Sequence, residues 1–404
     1  MSASPTSRRR QWCQLLALTL AHGVADTFGG LAAPVLIPLR DHYGVAIPKL
    51  IFMTALLGLS SNMFQIPVGH LRATWRSPAL ICFGVLLAGT AVFLTALPTG
   101  PFALVWMCLI ALVAGFGIAT VHPEGLRAVH GLDQIPSSLS TAVFMVAGFL
   151  GFSCGAVLSS SMTEQWGLGS LVWLYAAAPL AAAPLYFCGI RLPVDTDSAG
   201  QAKSAAERKE NIPSVPFLPL FALAATLATC SQIQATLLPS FLHEEAHYSL
   251  SFSGFSFTLF GLGGTVGAIT WGALAPRIGH LRVLLFATLF GAPLTLVYLL
   301  LAPRAQSAAA LLAFTGFIVY TGFPLCITLA RYAKSSLRFG QRMGLISGGS
   351  WGIAAAALWL LGPLTPVTGI GPLLHLVWLG YLAAVALTYL EIRRQKPSTD
   401  RSLF

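Results

Sequence analysis

Apolar runs of about twenty residues follow one another along almost the whole chain, and charges inside them are rare. FALVWMCLIALVAGFGIAT (102–120) is representative, with no ionisable group except one thiol. A run of that length matches the hydrocarbon thickness of a bilayer when it is wound as a helix. Only 9% of the 404 residues are charged and mean hydropathy is +0.77, whereas a soluble domain carries about 25% charged residues. So few charges cannot cover a water-exposed surface of this size. The solvent is lipid, and a chain in lipid must satisfy its backbone internally. The expected fold is an all-α membrane protein.

Twelve spans can be marked: Trp12–Leu36, Ile47–Gly69, Ala79–Leu97, Phe102–Leu126, Ser137–Met162, Gly169–Ile190, Val215–Leu242, Phe252–Ala275, Val283–Ala302, Ala308–Leu329, Met343–Leu361 and Leu373–Leu390. The formal charge of +10 could suggest nucleic acid, but its distribution argues otherwise. With the N-terminus placed inside, only Arg40, Lys49 and Arg304 of the 23 Lys and Arg fall on the outer side. That asymmetry is the positive-inside rule, so both termini are expected in the cytoplasm and no nucleic-acid partner is expected. The start, SRRRQWCQLLALTLAHGVADTFGG, has the basic flank of a signal peptide. His22 and Asp26 interrupt its apolar core and the pattern runs on past them, so an uncleaved first span is expected. The seven cysteines lie in apolar spans without metal-ligand spacing and read as small core residues; no metal is expected.

The longest polar gap, RLPVDTDSAGQAKSAAERKENIP (191–213), divides an N-terminal six-helix half (1–190) from a C-terminal half with a short tail (214–404). It reads as a cytoplasmic linker. The halves repeat weakly. GFGIATVHP (115–123) and GFIVYTGFP (316–324) share Gly, Phe, Thr and Pro at an offset of 201. AGFLG (147–151) and GGSWG (348–352) share two glycines at the same offset, and basic loops follow spans two and eight. Parallel repeats place two pseudo-symmetric halves around an axis along the membrane normal, with a cavity between them. Pro123 and Pro324 correspond, which predicts a bend in both halves. His122 and Glu124 align with Phe323 and Leu325, so the ionisable pair belongs to one half.

Of thirteen acidic residues, only Asp26 and Glu124 lie well within a span. A charge at the centre of a membrane helix costs at least about 2.5–3.5 kcal/mol, and such residues mark proton relays or substrate routes. Asp26 follows His22 by four residues, so both share a helical face. They either line a cavity and carry protons or form a fixed hydrogen-bonded pair. Glu124 precedes Arg127 by three, which allows a helix-end salt bridge as well as a coupling role. Gln65 in span two, Gln232 and Gln234 in span seven, Arg127 and Tyr320 are candidate cavity residues, although interhelical bonding explains such amides too. Gly148, Gly151 and Gly155 lie near one helical face, as do Gly264, Gly267 and Gly272. With Pro123, Gly125, Pro324, Gly349 and Gly352 they suit close packing and sliding. Gly69, Arg72, Arg76, Gly272, Arg277 and Gly279, in the loops after spans two and eight, are candidate cytoplasmic gate residues. No nucleophile–base constellation appears, so no enzyme is expected.

HPEG (122–125) followed by VAGFLGFSCG (146–155) resembles the major facilitator superfamily and, within it, the fosmidomycin-resistance family of drug exporters. His22 and Asp26, Gln65 and Gly69, LLPSFL (237–242) and GLISGGSWGI (344–353) fit the same pattern. The resemblance implies twelve helices in two halves and proton-coupled efflux of a small molecule across a bacterial inner membrane by alternating access. The chain would work as a monomer, driven by the proton gradient without a cofactor, with protons and membrane lipid as its other partners. His22, Asp26, His122 and Glu124 would couple protons. An uptake symporter uses the same fold and carboxylates; a non-transporting receptor or scaffold would need neither acid. The chain departs from the family at Ala73 and Pro276, where an acidic residue is usual, at Phe149, where Asn is frequent, and at Ala156, where Pro is frequent. The family's span-seven arginine has no clear match.

Overall fold

The computed structural model describes residues 7–65, 67–68, 76–135, 137–193, 212–337 and 339–395. They form a bundle of helical spans: α1 (Arg8–Tyr43), α2 (Ile47–Met63), α3 (Ala79–Thr95), α4 (Ala103–His130), α5 (Ser137–Trp166), α6 (Leu168–Phe187), α7 (Phe217–Glu244), α8 (Leu250–Ile278), α9 (His280–Leu301), α10 (Ala308–Arg331), α11 (Gln341–Thr368) and α12 (Gly371–Gln395). Ten are long and apolar enough to cross a membrane, and α2 and α3 are shorter apolar helices. Twelve spans in two groups of six is the expected architecture. Most of the linker, and the gate residues Gly69 and Arg72, lie outside the described residues.

Local chemistry sets the boundaries. Ser7 caps α1 and Ser249 caps α8, each hydroxyl accepting from a first-turn backbone N–H. The first span ends at Gly44, whose φ of 66° is left-handed and places its N–H on the Arg40 carbonyl. Gly279, at φ 104°, turns α8 directly into α9. The outer surface is apolar, with Trp173, Phe187 and Val367 fully presented to the surroundings, as lipid contact requires.

Glycines decide which helices touch. Gly151 and Gly155 of α5 lie against the backbone of Gly23, Thr27 and Gly30 in α1, so a Cβ at either would overlap main chain. This backbone-to-backbone contact fixes α1 against α5. Gly263, Gly267 and Gly316 do the same between α8 and α10. Across the halves, Gly254 and Gly261 of α8 admit Ser160 and Ser153 of α5, and Thr258 Oγ1 donates to the Ser153 carbonyl at 2.6 Å. Gly352 of α11 backs onto Met63 of α2, while Gly349 meets Phe221 of α7. Among the described residues, nothing lies within 4 Å of where a Cβ on Gly272 would sit.

The two repeated prolines behave differently. α4 runs as one helix through Pro123. α10 breaks into Ala308–Val319 and Gly322–Arg331, with Tyr320 and Thr321 in a turn. Pro324 therefore sits in the first turn of the second piece, where a missing N–H costs nothing. The proline bend expected in both halves coincides with a break in α10, whereas α4 stays one helix at Pro123.

At the end of the bundle away from the N-terminus, the halves are tied by polar contacts. Arg40 makes a two-point contact with Glu244 of α7, at 2.9 and 3.3 Å, and Glu164 of α5 accepts the Ser251 N–H of α8 at 2.8 Å. Within the C-terminal half, the Glu245 carboxylate caps the Ile370 and Gly371 N–H groups that begin α12.

Candidate proton site and central cavity

Asp26 sits between two imidazoles. His22, one turn earlier on α1, places Nε2 at 3.3 Å from Asp26 Oδ2. His122 of α4 places its own Nε2 at 3.5 Å from Asp26 Oδ1. The rings meet edge to face at 4.8 Å. The expected pairing on one face of α1 is present, joined by a third member from another helix.

The opposite nitrogen of each ring is already engaged. His22 Nδ1 lies 2.7 Å from the Phe144 carbonyl, and His122 Nδ1 lies 2.9 Å from the Ile118 carbonyl. A carbonyl oxygen only accepts, so each Nδ1 carries a hydrogen. Each Nε2 then faces a carboxylate, which is another acceptor when ionised. A hydrogen bond from either Nε2 to Asp26 would therefore need an additional proton, on imidazole or on carboxylate. His22 is sealed, with 1% of its surface exposed, and its Nε2 makes no well-directed hydrogen bond; Asp26 is 15% exposed. These three residues are also the group, among those described, whose ligand atoms lie within 4.8 Å of one another, the spacing a metal ion would need.

Small residues make room for the cluster. Gly148 of α5 faces His22 and Asp26 so closely that a Cβ there would overlap both. Gly125, the last residue of HPEG, admits the Phe144 ring, and that ring stacks on His22 at 4.1 Å. The glycine of HPEG thus supports the histidine of α1 through Phe144, a residue the sequence did not single out.

Glu124 is placed elsewhere. Two residues from His122, it points about 200° away around α4. It is buried and bonded to Arg127 at 2.9 Å, the i,i+3 pair that the sequence allowed. The expected cavity residues also separate. Gln65, just past the end of α2, donates to the Ser61 carbonyl four residues back at 2.9 Å, and Gln232 donates to Thr236 at 3.3 Å. Gln234 is buried and its Oε1 has no hydrogen-bond partner among the described residues. Tyr320, in the α10 break, does line a cavity between the halves, with Phe149, Ser231, Phe323, Trp351 and Tyr381. Of the gate candidates, the Arg76 carbonyl accepts from Leu192 N–H at 3.0 Å, and Arg277 lies exposed in the last turn of α8.

Residues 18–358 match the sequence model of the Major Facilitator Superfamily. The chain belongs to the major facilitator superfamily. The fosmidomycin resistance protein of Escherichia coli (strain K12) is 24% identical over 377 residues, covering 91% of this chain and 90% of that protein. An uncharacterized MFS-type transporter of Bacillus subtilis (strain 168), YfnC, is 23% identical over 365 residues, covering 89% and 88%. Among solved structures, a bacterial homologue of the human lysosomal transporter Spinster, inward-facing and unoccupied, superposes with a TM-score of 0.69 at 15% identity, covering 96% of this chain and 98% of that one. The nucleoside transporter NupG gives 0.70 at 13% identity, covering 95% and 100%. At those identities the structural likeness speaks to fold. As a member of the major facilitator superfamily the chain is a secondary transporter and not an enzyme, and its substrate is a small molecule. The twelve helices and the repeat read from sequence are those of this superfamily.

Proposed function

We propose that this transporter exports a small molecule in exchange for protons, by alternating access, across a bacterial inner membrane with both termini in the cytoplasm. The observation that carries the proton reading is Asp26 held between two imidazoles whose other nitrogens are committed to backbone carbonyls. Such a cluster stores or releases protons by small changes at one carboxylate, and in a membrane interior ionisable groups are retained for that use. The resistance named for the E. coli relative supports the outward direction, and the distribution of Lys and Arg supports the orientation. The chain acts as a monomer in lipid, with the proton gradient as its energy source and no cofactor.

In the proposed cycle, a proton arriving at Asp26 changes the charge against Gly148, the neighbour of the cavity-lining Phe149, and weakens substrate binding. The emptied halves then reset. Glu124, paired with Arg127, contributes a second ionisable step on the other side of α4. Substrate-driven proton flux in proteoliposomes tests this. Coupling is expected to vanish in Asp26→Asn and to fall in Glu124→Gln; coupling unchanged in both would remove these acids from the mechanism. Oriented vesicles report the direction directly.

A further inference from the structure

The cavity at the α10 break has a chemistry that the proton cluster does not explain. Its wall is largely aromatic. Phe149 from the N-terminal half stands edge-on to Tyr320 of the C-terminal half at 5.2 Å, and Phe323 meets Trp351 at 5.3 Å. Tyr381 of α12 completes the lining of this partly open space. Its polar groups are the hydroxyls of Ser231, Tyr320 and Tyr381 and the indole N–H of Trp351, and its lining includes no charged side chain. Among the described residues neither phenol hydroxyl is hydrogen-bonded to another protein group. Arg127, the cation that sequence assigned to this region, is held by Glu124 instead.

An anion entering this space would lose its hydration and find no cation in the lining. A flat aromatic ring would gain contact area and edge-to-face packing on several sides, and the hydroxyls would fix its orientation through acceptor atoms. We propose that the cavity binds a flat aromatic compound, uncharged when bound and bearing hydrogen-bond acceptors such as a ring carbonyl. Phe149 is the residue that sets this preference, because it supplies the aromatic face of the N-terminal half. The assignment of this compound class as the transported substrate rests on the export reading; the binding itself does not.

The test uses the full chain in lipid nanodiscs with three probes: acridone, which is flat, neutral and carries a carbonyl; anthracene-9-carboxylate, of similar size but anionic; and fosmidomycin. Energy transfer from tryptophan to acridone is expected to saturate, with acridone bound at least tenfold more tightly than either anion. Phe149→Asn should weaken acridone at least fivefold, and Tyr381→Phe, which keeps the ring, should weaken it by a smaller factor. Thermal unfolding of each variant separates lost binding from lost folding, and Tyr381→Phe carries the test should Phe149→Asn fail to fold. Tighter binding of an anion, or acridone binding indifferent to both substitutions, overturns the proposal. Counterflow in proteoliposomes is scored separately. Acridone binding without any counterflow defeats the transport reading and leaves the cavity assignment intact. Counterflow of fosmidomycin without acridone binding does the reverse.

Discussion

Asp26 of α1 and His122 of α4 lie 3.5 Å apart, oxygen to nitrogen, although no local pattern in the chain brings them together. Their contact joins the first conspicuous acid of the chain to the HPEG segment. It makes Asp26 the common partner of two rings that are each anchored by a backbone carbonyl. Replacing Asp26 with Asn keeps the shape and removes the exchangeable charge. Coupled proton flux should drop by at least about tenfold while thermal stability stays close to that of the parent, because no buried charge is stranded. Flux in reconstituted liposomes, with a melting curve on the same preparation, checks both halves of this expectation.

Gly148 provides a steric version of the same test. Alanine there would drive a methyl group into His22 and Asp26, whereas valine at Gly151 would push α1 away from α5. Gly148→Ala is expected to impair transport first, with a modest loss of stability. Gly151→Val is expected to unfold the N-terminal half at lower temperature, with overpacking costs of about 1–3 kcal/mol or more. Paired melting and transport assays distinguish a crowded site from a separated helix pair.

Glu124 and Arg127 form a pair in which the carboxylate is buried and the guanidinium mostly so. Removing the cation alone leaves a carboxylate in a poor solvent, which typically costs about 3–5 kcal/mol. Arg127→Met should therefore be much less stable than the double variant Glu124→Gln/Arg127→Met. Chemical denaturation in detergent would reveal this order; equal stabilities would mean that the pair is not the main partner of Glu124.

The Arg40–Glu244 bridge predicts a different kind of effect. Its members are 33% and 39% exposed, so each single reversal should cost only about 0.2–1 kcal/mol. That amount still shifts the balance between two conformations by a measurable factor. Arg40→Glu should raise cysteine-labelling rates at the end of the bundle away from the N-terminus, and adding Glu244→Arg should restore them.

Much of this was legible in the chain because the membrane leaves few choices. Helix number, the repeat and the His22–Asp26 face all follow from periodicity, and the Glu124–Arg127 pair follows from i,i+3 spacing. His122 was recognisable as unusual, but its direction was not. That direction depends on how α4 crosses α1, which is set by contacts far from HPEG. Phe144 gave no signal, since one aromatic residue in an apolar span looks like any other. Arg40 and Glu244 lie 204 residues apart in different halves, beyond the reach of any local pattern. The amides failed in the opposite sense: Gln65 and Gln232 look like cavity groups, yet each spends its donor four residues away along its own segment.

The main-chain contact of α1 with α5 has a mechanical corollary. Two strips of bare backbone pressed together have no rotamers to rearrange, so they form one plate that bears His22 and Asp26. The same bare-backbone packing joins α8 to α10, so each half carries one stiff pair, and in the second half that pair ends beside Tyr320 and Thr321, the two residues outside either helix.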